Sequence, residues 1–208
     1  MADAHYFSSA PAGPLRTRTI TVELGGRTVD VETAGGVFSP EHVDQGTLVL
    51  LRNVPPPPRE GHLLDVGCGW GPVALDLAMR SPSATVWAVD VNERALELTR
   101  ANARSLGLEN LNAVLPGDVP AGLSFATVWS NPPIRVGKDA LHGILLDWLP
   151  RLAVDADAWL VVQRNLGSDS LQRWLVDTLP GKLATTRAAS DKGFRVLRVH
   201  RAADGAGS

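Results

Sequence analysis

His62-Leu63-Leu64-Asp65-Val66-Gly67-Cys68-Gly69-Trp70-Gly71-Pro72 decides the fold. A short apolar run closes on Asp65-Val66 and passes at once into Gly-x-Gly-x-Gly. A proline then stands at the first-turn position that a helix tolerates. The spacing predicts a strand over 62–66, a glycine turn, and a helix over 72–80. In an open α/β sheet such a turn lies beyond the carboxyl end of its strand, where ligands bind.

The pattern continues outward as βαβα. Thr85 to Val89 is a second buried strand, ending at Asp90. Asn92 caps a helix whose buried face is Ala95, Leu96, Thr99, Ala103 and Leu106, and Gly107 ends it. Leu111–Leu115 and Ala126–Trp129 are the third and fourth strands. Leu141, Ile144, Leu145, Trp148, Leu149 and Leu152 recur at helical spacing. Ala158–Val162 is a fifth strand, and Leu171, Trp174, Leu175 and Leu179 mark another helix. Leu183–Ala188 and Phe194–Val199 pair across Asp191-Lys192-Gly193 as a closing hairpin. Strands that alternate with helices give a mostly parallel seven-stranded sheet, covered on both faces, with an antiparallel last strand.

Upstream, Ile20, Val22 and Leu24 alternate toward Gly25-Gly26, with Val29 and Val31 beyond. That reads as a tight hairpin. A helix near 43–53 follows, and Pro55–Pro58 stop it. The expected organisation is an arm over 1–18, a hairpin, helix and proline spacer over 19–58, the main domain over 59–201 and a tail over 202–208. The 208 residues, 44% hydrophobic, suit one domain and an appendage. The single cysteine, Cys68, excludes an internal disulfide and a Cys-rich metal site. There is no secretory pattern at the start and no apolar stretch of membrane-spanning length, so the expected address is cytoplasmic, with no membrane partner.

Three features line up at the carboxyl end of the expected sheet. They are the turn Gly67-Cys68-Gly69, Asp90 at the end of the second strand, and Asp118-Val119 after the third. A carboxylate at Asp90 suits two ribose hydroxyls, and Asp118 with the Val119 backbone suits an adenine amino group. Asp65, beside the turn, would repel the pyrophosphate of a dinucleotide. It suits the amino group and sulfonium of S-adenosylmethionine (SAM). Cys68 has no base beside it in sequence and reads as a small turn residue rather than a nucleophile.

Ser130-Asn131-Pro132-Pro133-Ile134 follows the fourth strand. Two prolines stiffen the turn and hold carbonyls outward, and Asn131 adds a side-chain carbonyl. Those acceptors suit an amine or amide nitrogen whose lone pair is delocalised into a π system. Hydrogen bonds from its N–H groups favour pyramidal nitrogen and aim the lone pair at a methyl carbon. Such a transfer needs positioning and electrostatics, with no metal. Asn131, Pro132 and Pro133 are therefore the expected catalytic group. Ile134, Arg135 and Lys138 are the expected substrate contacts.

With these motifs in place, the chain resembles the class I SAM-dependent methyltransferases, a Rossmann-like fold. Within them it resembles the small-subunit ribosomal RNA guanine-N2 methyltransferases. The residues that carry the likeness are Gly36-Val37-Phe38-Ser39, Asp44-x-Gly46, Asp65 to Pro72, Val89-Asp90-Val91-Asn92, Asn131-Pro132-Pro133-Ile134 and Lys192-Gly193-Phe194-Arg195-Val196. The resemblance implies that Phe38 and Asp44 close over SAM beside the glycine turn. It implies that Asp65, Gly67, Asp90, Val91 and Asp118 contact SAM, that Asn131 and Pro132 hold the target amine, and that ribosomal RNA is the partner. Ile134 stands where many members carry a base-stacking aromatic residue, and larger members carry an extra methyltransferase-like half that grips RNA.

A net charge of −2 excludes an indiscriminate nucleic-acid coat but not a local basic patch. Arg16, Arg18, Arg135, Lys138, Lys182, Arg187, Lys192, Arg195, Arg198 and Arg201 are the cations in position to meet phosphates. A glutamine amide of a protein, or a small-molecule amine, poses the same lone-pair problem as guanine. A catalytically silent SAM-binding module is the reading from another class, and the intact Asn131-Pro132-Pro133 argues against it.

Overall fold

A computed structural model describes residues 16–179 and 181–203, with the backbone alone at Arg135. The expected arm up to residue 15 and the tail from 204 onward lie outside the described residues. Strands β1 (Thr17–Leu24) and β2 (Arg27–Ala34) form an antiparallel hairpin. After helix α1 (Gln45–Asn53) come β3 (His62–Val66), α2 (Pro72–Arg80), β4 (Thr85–Val89), α3 (Glu93–Ser105), β5 (Leu111–Val114) and β6 (Phe125–Ser130). Then come α4 (Lys138–Trp148), β7 (Leu152–Gln163), α5 (Ser168–Thr178), β8 (Leu183–Asp191) and β9 (Phe194–Arg201).

The main sheet has seven strands in the order β5-β4-β3-β6-β7-β9-β8. Its first five are parallel, and β9 runs antiparallel between β7 and β8. This is the seven-stranded, mostly parallel sheet expected from the sequence. Order reverses between β3 and β6, so both central strands deliver their carboxyl ends to one crevice.

Alternation along each strand divides the core between two faces. Leu64, Val128, Leu160 and Leu197 pack with Leu145 and Trp148 of α4 and Leu175 of α5. Leu63, Trp129, Trp159 and Val161 face Val49 and Leu50 of α1 and Val73 and Leu77 of α2. Helix α1 thus lies on the sheet itself, ahead of the four prolines.

The hairpin has its own seat. Val22, Leu24, Val31 and Trp70 join Leu75 of α2 and Leu98 of α3. Polar contacts fix its register. Asn102 of α3 accepts from the Glu32 N–H at 2.7 Å and donates to the Glu32 and Trp70 carbonyls at 2.9 and 3.1 Å. Asp76 of α2 accepts from the Gly25 N–H at 2.8 Å.

One sequence expectation is corrected. The apolar stripe from Leu141 does not continue as helix through Leu152. Helix α4 stops at Trp148, a single 3-10 turn covers Leu149–Arg151, and Leu152 opens β7 opposite Phe125. Pro150 in that turn has no N–H to continue the helical ladder. Trp174 and His142 stack with ring centroids 3.6 Å apart, which gives His142 a packing role between α4 and α5. No described helix is long and apolar enough to cross a membrane.

Candidate active site

The glycine turn is held by backbone contacts. The Gly67 and Cys68 N–H groups both donate to the Val89 carbonyl of β4, at 2.8 and 3.0 Å. Gly67, Gly69 and Gly71 take φ values of 76°, 58° and 99°. At Gly71 a side chain would also meet Thr99 at 3.0 Å. The position is therefore closed to other residues by backbone and by space. Opening the turn this way frees the Gly69 N–H to donate to Asp90 Oδ2 at 3.0 Å. Asp90 Oδ1 accepts from the Asn92 N–H at 2.9 Å, and Asn92 caps α3. Backbone amides thus fix the Asp90 carboxylate beside the turn. Burial raises the Asp90 pKa above its usual value, against the pull of the Asn92 and Gly69 amides.

Asp65 is buried beneath the turn and accepts from the Ala74 N–H at 3.0 Å. Burial pushes its pKa up to about 8, the Ala74 amide lowers it, and the charge on Asp90 adds to the rise. A carboxyl in that condition calls for a cation. Cys68 is buried beside it. Its thiol is raised well above the usual value by burial and by Asp90 and Asp65, which leaves no thiolate for nucleophilic attack.

The loop over 35–42 covers the turn. Asn92 Nδ2 donates to the Gly36 carbonyl at 2.8 Å, Trp70 Nε1 to the Ser39 carbonyl at 3.1 Å, and Arg18 Nε to the Pro40 carbonyl at 3.0 Å. This leaves Phe38 54% exposed at the mouth. Trp70 is buried in the hairpin core and also lines the recess beside Asp65.

Across the crevice, Asn131 begins the loop after β6. Its Nδ2 donates to Asp44 Oδ2 at 2.9 Å and to Thr47 Oγ1 at 3.2 Å. Asp44 also caps α1, accepting from the Gly46 N–H at 2.7 Å and the Thr47 N–H at 3.4 Å. The Pro132 carbonyl accepts from the Ile134 N–H at 2.8 Å, which folds the loop tightly and leaves that carbonyl one lone pair.

Both halves line one cavity of about 440 Å³. It includes Phe38, Asp44, Gly67, Gly69, Asp90, Val91, Asn131, Pro132, Pro133 and Ile134 from the sequence expectations. An adjoining recess of about 20 Å³ takes in Asp65, Asp44, Thr47, Cys68 and Asn131. Asp118 is exposed and Val119 is buried in the core, and it is Pro116 that lines the cavity there. Lys138 is exposed at the start of α4 and does not line it. Of the Arg135 side chain nothing is described. Ile144, Trp148, Gln163, Leu166 and Phe194 line the cavity unforeseen. They come from α4, the end of β7, the 3-10 turn over Arg164–Leu166 and the start of β9, and of these five Phe194 falls in the stretch Lys192-Gly193-Phe194-Arg195-Val196.

Several of the C-terminal arginines are engaged within the protein. Arg195 and Arg187 pair with Asp169, Arg198 Nε donates to Asp157 at 2.7 Å, and Arg201 NH1 donates to the Pro150 carbonyl at 3.1 Å. Lys192 is exposed in the β8–β9 turn.

A profile of the methyltransferase small domain matches residues 28–198. The chain belongs to the methyltransferase small domain family. Among curated relatives, the YbxB protein of Bacillus subtilis (strain 168) is 36% identical over 80% of this chain and 84% of its own length. The ribosomal RNA small subunit methyltransferase C of Acinetobacter baumannii (strain AYE) is 30% identical over 72% of this chain and 46% of its own. In fold, the chain superposes on the T. thermophilus 16S rRNA N2 methyltransferase solved with AdoMet and guanosine. The TM-score is 0.77, at 22% identity, over 92% of this chain and 52% of that one. The chain thus spans about half the length of the named rRNA methyltransferases that it matches.

SAM is the cofactor of this methyltransferase family, and the site fits it. The volume lies within the ~300–1,000 Å³ usual for small-molecule sites. A narrow recess lined by two carboxylates, Asp44 and Asp65, suits a cationic end. The Asp90 oxygens suit a diol, and Val37, Val91 and Ala95 offer apolar surface to a ring.

Proposed function

We propose that this protein methylates the exocyclic N2 amino group of a guanine in ribosomal RNA. The observation that carries the reading is the placement of Asn131-Pro132-Pro133 in the same cavity as the glycine turn and Asp90. An acceptor group so placed meets the methyl donor directly. The small-subunit rRNA methyltransferases among the relatives, and the fold match solved with guanosine, supply the acceptor's class.

When bound, SAM supplies an electrophilic methyl carbon on a sulfonium. Asp65 would hold the cationic end of the donor in the recess, and Asp90 the ribose. Val91 and Phe38 cover it. Asn131 Oδ1 and the remaining lone pair of the Pro132 carbonyl accept the two N–H groups of the target amine. That pulls the nitrogen out of conjugation and turns its lone pair toward the methyl carbon, so the gain comes from orientation. As the N–C bond forms, the methyl–sulfur bond would break with its electron pair left on sulfur, and the nitrogen would then release its proton to solvent. Pro133 and Ile134 form an apolar wall for the base. Exposed cations such as Lys138 and Lys192 offer phosphate contacts.

The test is transfer of labelled methyl from SAM to small ribosomal subunits, to rRNA stripped of protein, and to cell protein extract, followed by nucleoside mass spectrometry. The expected product is N2-methylguanosine. Label confined to protein, or SAM binding without any transfer, would overturn the reading.

A further inference from the structure

We infer that Asp44 and Thr47 are positioning residues that lock the amide of Asn131 in one orientation, so that the site accepts only a hydrogen-bond donor. The inference rests on the acceptor role given to Asn131 above. An asparagine amide presents a carbonyl on one side and an NH2 on the other, and a half-turn of its last torsion exchanges them. Either presentation is available to a free side chain. Here the choice is forced. Asp44 Oδ2 already accepts the Gly46 N–H and stands 2.9 Å from Asn131 Nδ2. A carboxylate only accepts, so a flipped amide would set oxygen against oxygen at that distance. Thr47 Oγ1, at 3.2 Å, takes the second amide hydrogen. Both donors are then consumed and Oδ1 alone is left to meet a substrate.

Gly46 leaves room for this arrangement. A side chain there would fall 2.9 Å from Asp44 Oδ2, 3.0 Å from the Phe194 ring and 3.3 Å from Asn131 Nδ2. The run Asp44-x-Gly46-Thr47 is thus one device. It caps α1, keeps the approach to Asn131 clear and fixes the amide. Thr47 is buried, lies outside the main cavity and meets Asn131 Nδ2 in the adjoining recess, so its effect on the acceptor passes through Asn131. The consequence is selectivity by chemical class. An amino or amide nitrogen finds an acceptor, whereas a carbonyl, carboxylate or phenolate oxygen finds oxygen facing oxygen.

The test uses Thr47→Val, Thr47→Ser and Asp44→Asn in the full chain, with small ribosomal subunits or stripped rRNA as acceptor. Asp44→Asn allows the amide to flip and should lower kcat by on the order of 10²-fold at saturating SAM, the usual effect of a misplaced group. Thr47→Val should lower kcat at saturating SAM by about tenfold, and Thr47→Ser should recover most of that loss. Added to Asn131→Ala, Thr47→Val should slow the enzyme no further, because coupled residues are not additive. A second readout needs no substrate. The two side-chain amide protons of Asn131, followed by NMR, should exchange slowly in the wild type and faster in Thr47→Val. If Asn131→Ala leaves transfer intact, the acceptor-site reading fails and takes this one with it. If Asn131→Ala abolishes transfer while Asp44→Asn and Thr47→Val keep full kcat, or the amide protons exchange alike in both proteins, only the lock is overturned.

Discussion

The two halves of the cavity are held in place by different means. The glycine turn is fixed through its own backbone groups: the Gly67 and Cys68 N–H groups donate to the Val89 carbonyl, the Gly69 N–H donates to the Asp90 carboxylate, the Gly69 carbonyl accepts from Thr99, and positive φ values make the bend. The acceptor loop is fixed by side chains. Asn131 is oriented by Asp44 and Thr47, 87 and 84 residues away in sequence. The partners of the turn come from the next strand and helix, 21 and 30 residues from Gly69 for Asp90 and Thr99. Side-chain-built sites need two distant segments to arrive together, so α1 must be docked on the sheet before Asn131 is correctly presented. The cofactor half and the acceptor half should therefore fail separately when mutated.

The sharpest break is Asn131→Ala. We expect methyl transfer to fall by about 10³-fold, as when a preorganised hydrogen-bonding group is removed from a reacting centre. SAM affinity by calorimetry should stay near wild type. Equal loss of both would merge the two halves.

Asp90→Ala should do the reverse. It removes the ligand carboxylate and strands the Gly69 N–H. The SAM Kd should rise by roughly 10²-fold, the scale of lost hydrogen bonds to a charged group. Unchanged affinity would remove Asp90 from the cofactor half.

Asp65 links the cofactor half to pH. Its folded pKa, about 8, lies above its ordinary value of 3.8. Between those limits the folded protein holds a proton that the unfolded chain has lost, so this group's contribution to stability falls as pH rises. Asp65→Asn carries no such proton. Relative to wild type it should gain about 3 kcal/mol on going from pH 5 to pH 7, measured by urea unfolding without SAM. A pH-independent difference would show that Asp65 titrates normally.

The smallest expected effect is Gly71→Ala. A φ of 99° and Thr99 at 3.0 Å should cost about 1–3 kcal/mol of stability. At a temperature where the variant stays folded, kcat at saturating SAM should change little, because Gly71 touches only the cofactor half. A large kcat loss there would mean the halves are coupled.

Much of this was legible in sequence for physical reasons. Local periodicity marks strands and helices, and glycine, proline and cap residues mark where each stops. Where periodicity and a breaker conflict, the breaker prevails: the apolar stripe runs from Leu141 to Leu152, but the helix stops at Trp148, ahead of Pro150. Asp118 was drawn into the site by its place after the third strand, yet a 3-10 turn over Pro116–Asp118 leaves it exposed and gives the cavity wall to Pro116. Gln163 and Leu166 carry no local signal, and the stretch around Phe194 does not by itself place that ring in the cavity, because only sheet order brings β7 and β9 beside Asn131.

By itself the sequence determined the alternation of elements, the glycine turn with Asp65 and Asp90, and the placing of Asn-Pro-Pro at the end of a buried strand. Those are short-range properties, set by side-chain period and by the backbone freedom of single residues. The tertiary structure alone decided which way the Asn131 amide faces, that Trp70 anchors the hairpin, and that the arginines at 187, 195 and 198 are held by Asp169 and Asp157. Each of these is a contact between groups far apart in the chain, and such a contact exists only once packing has brought its partners together.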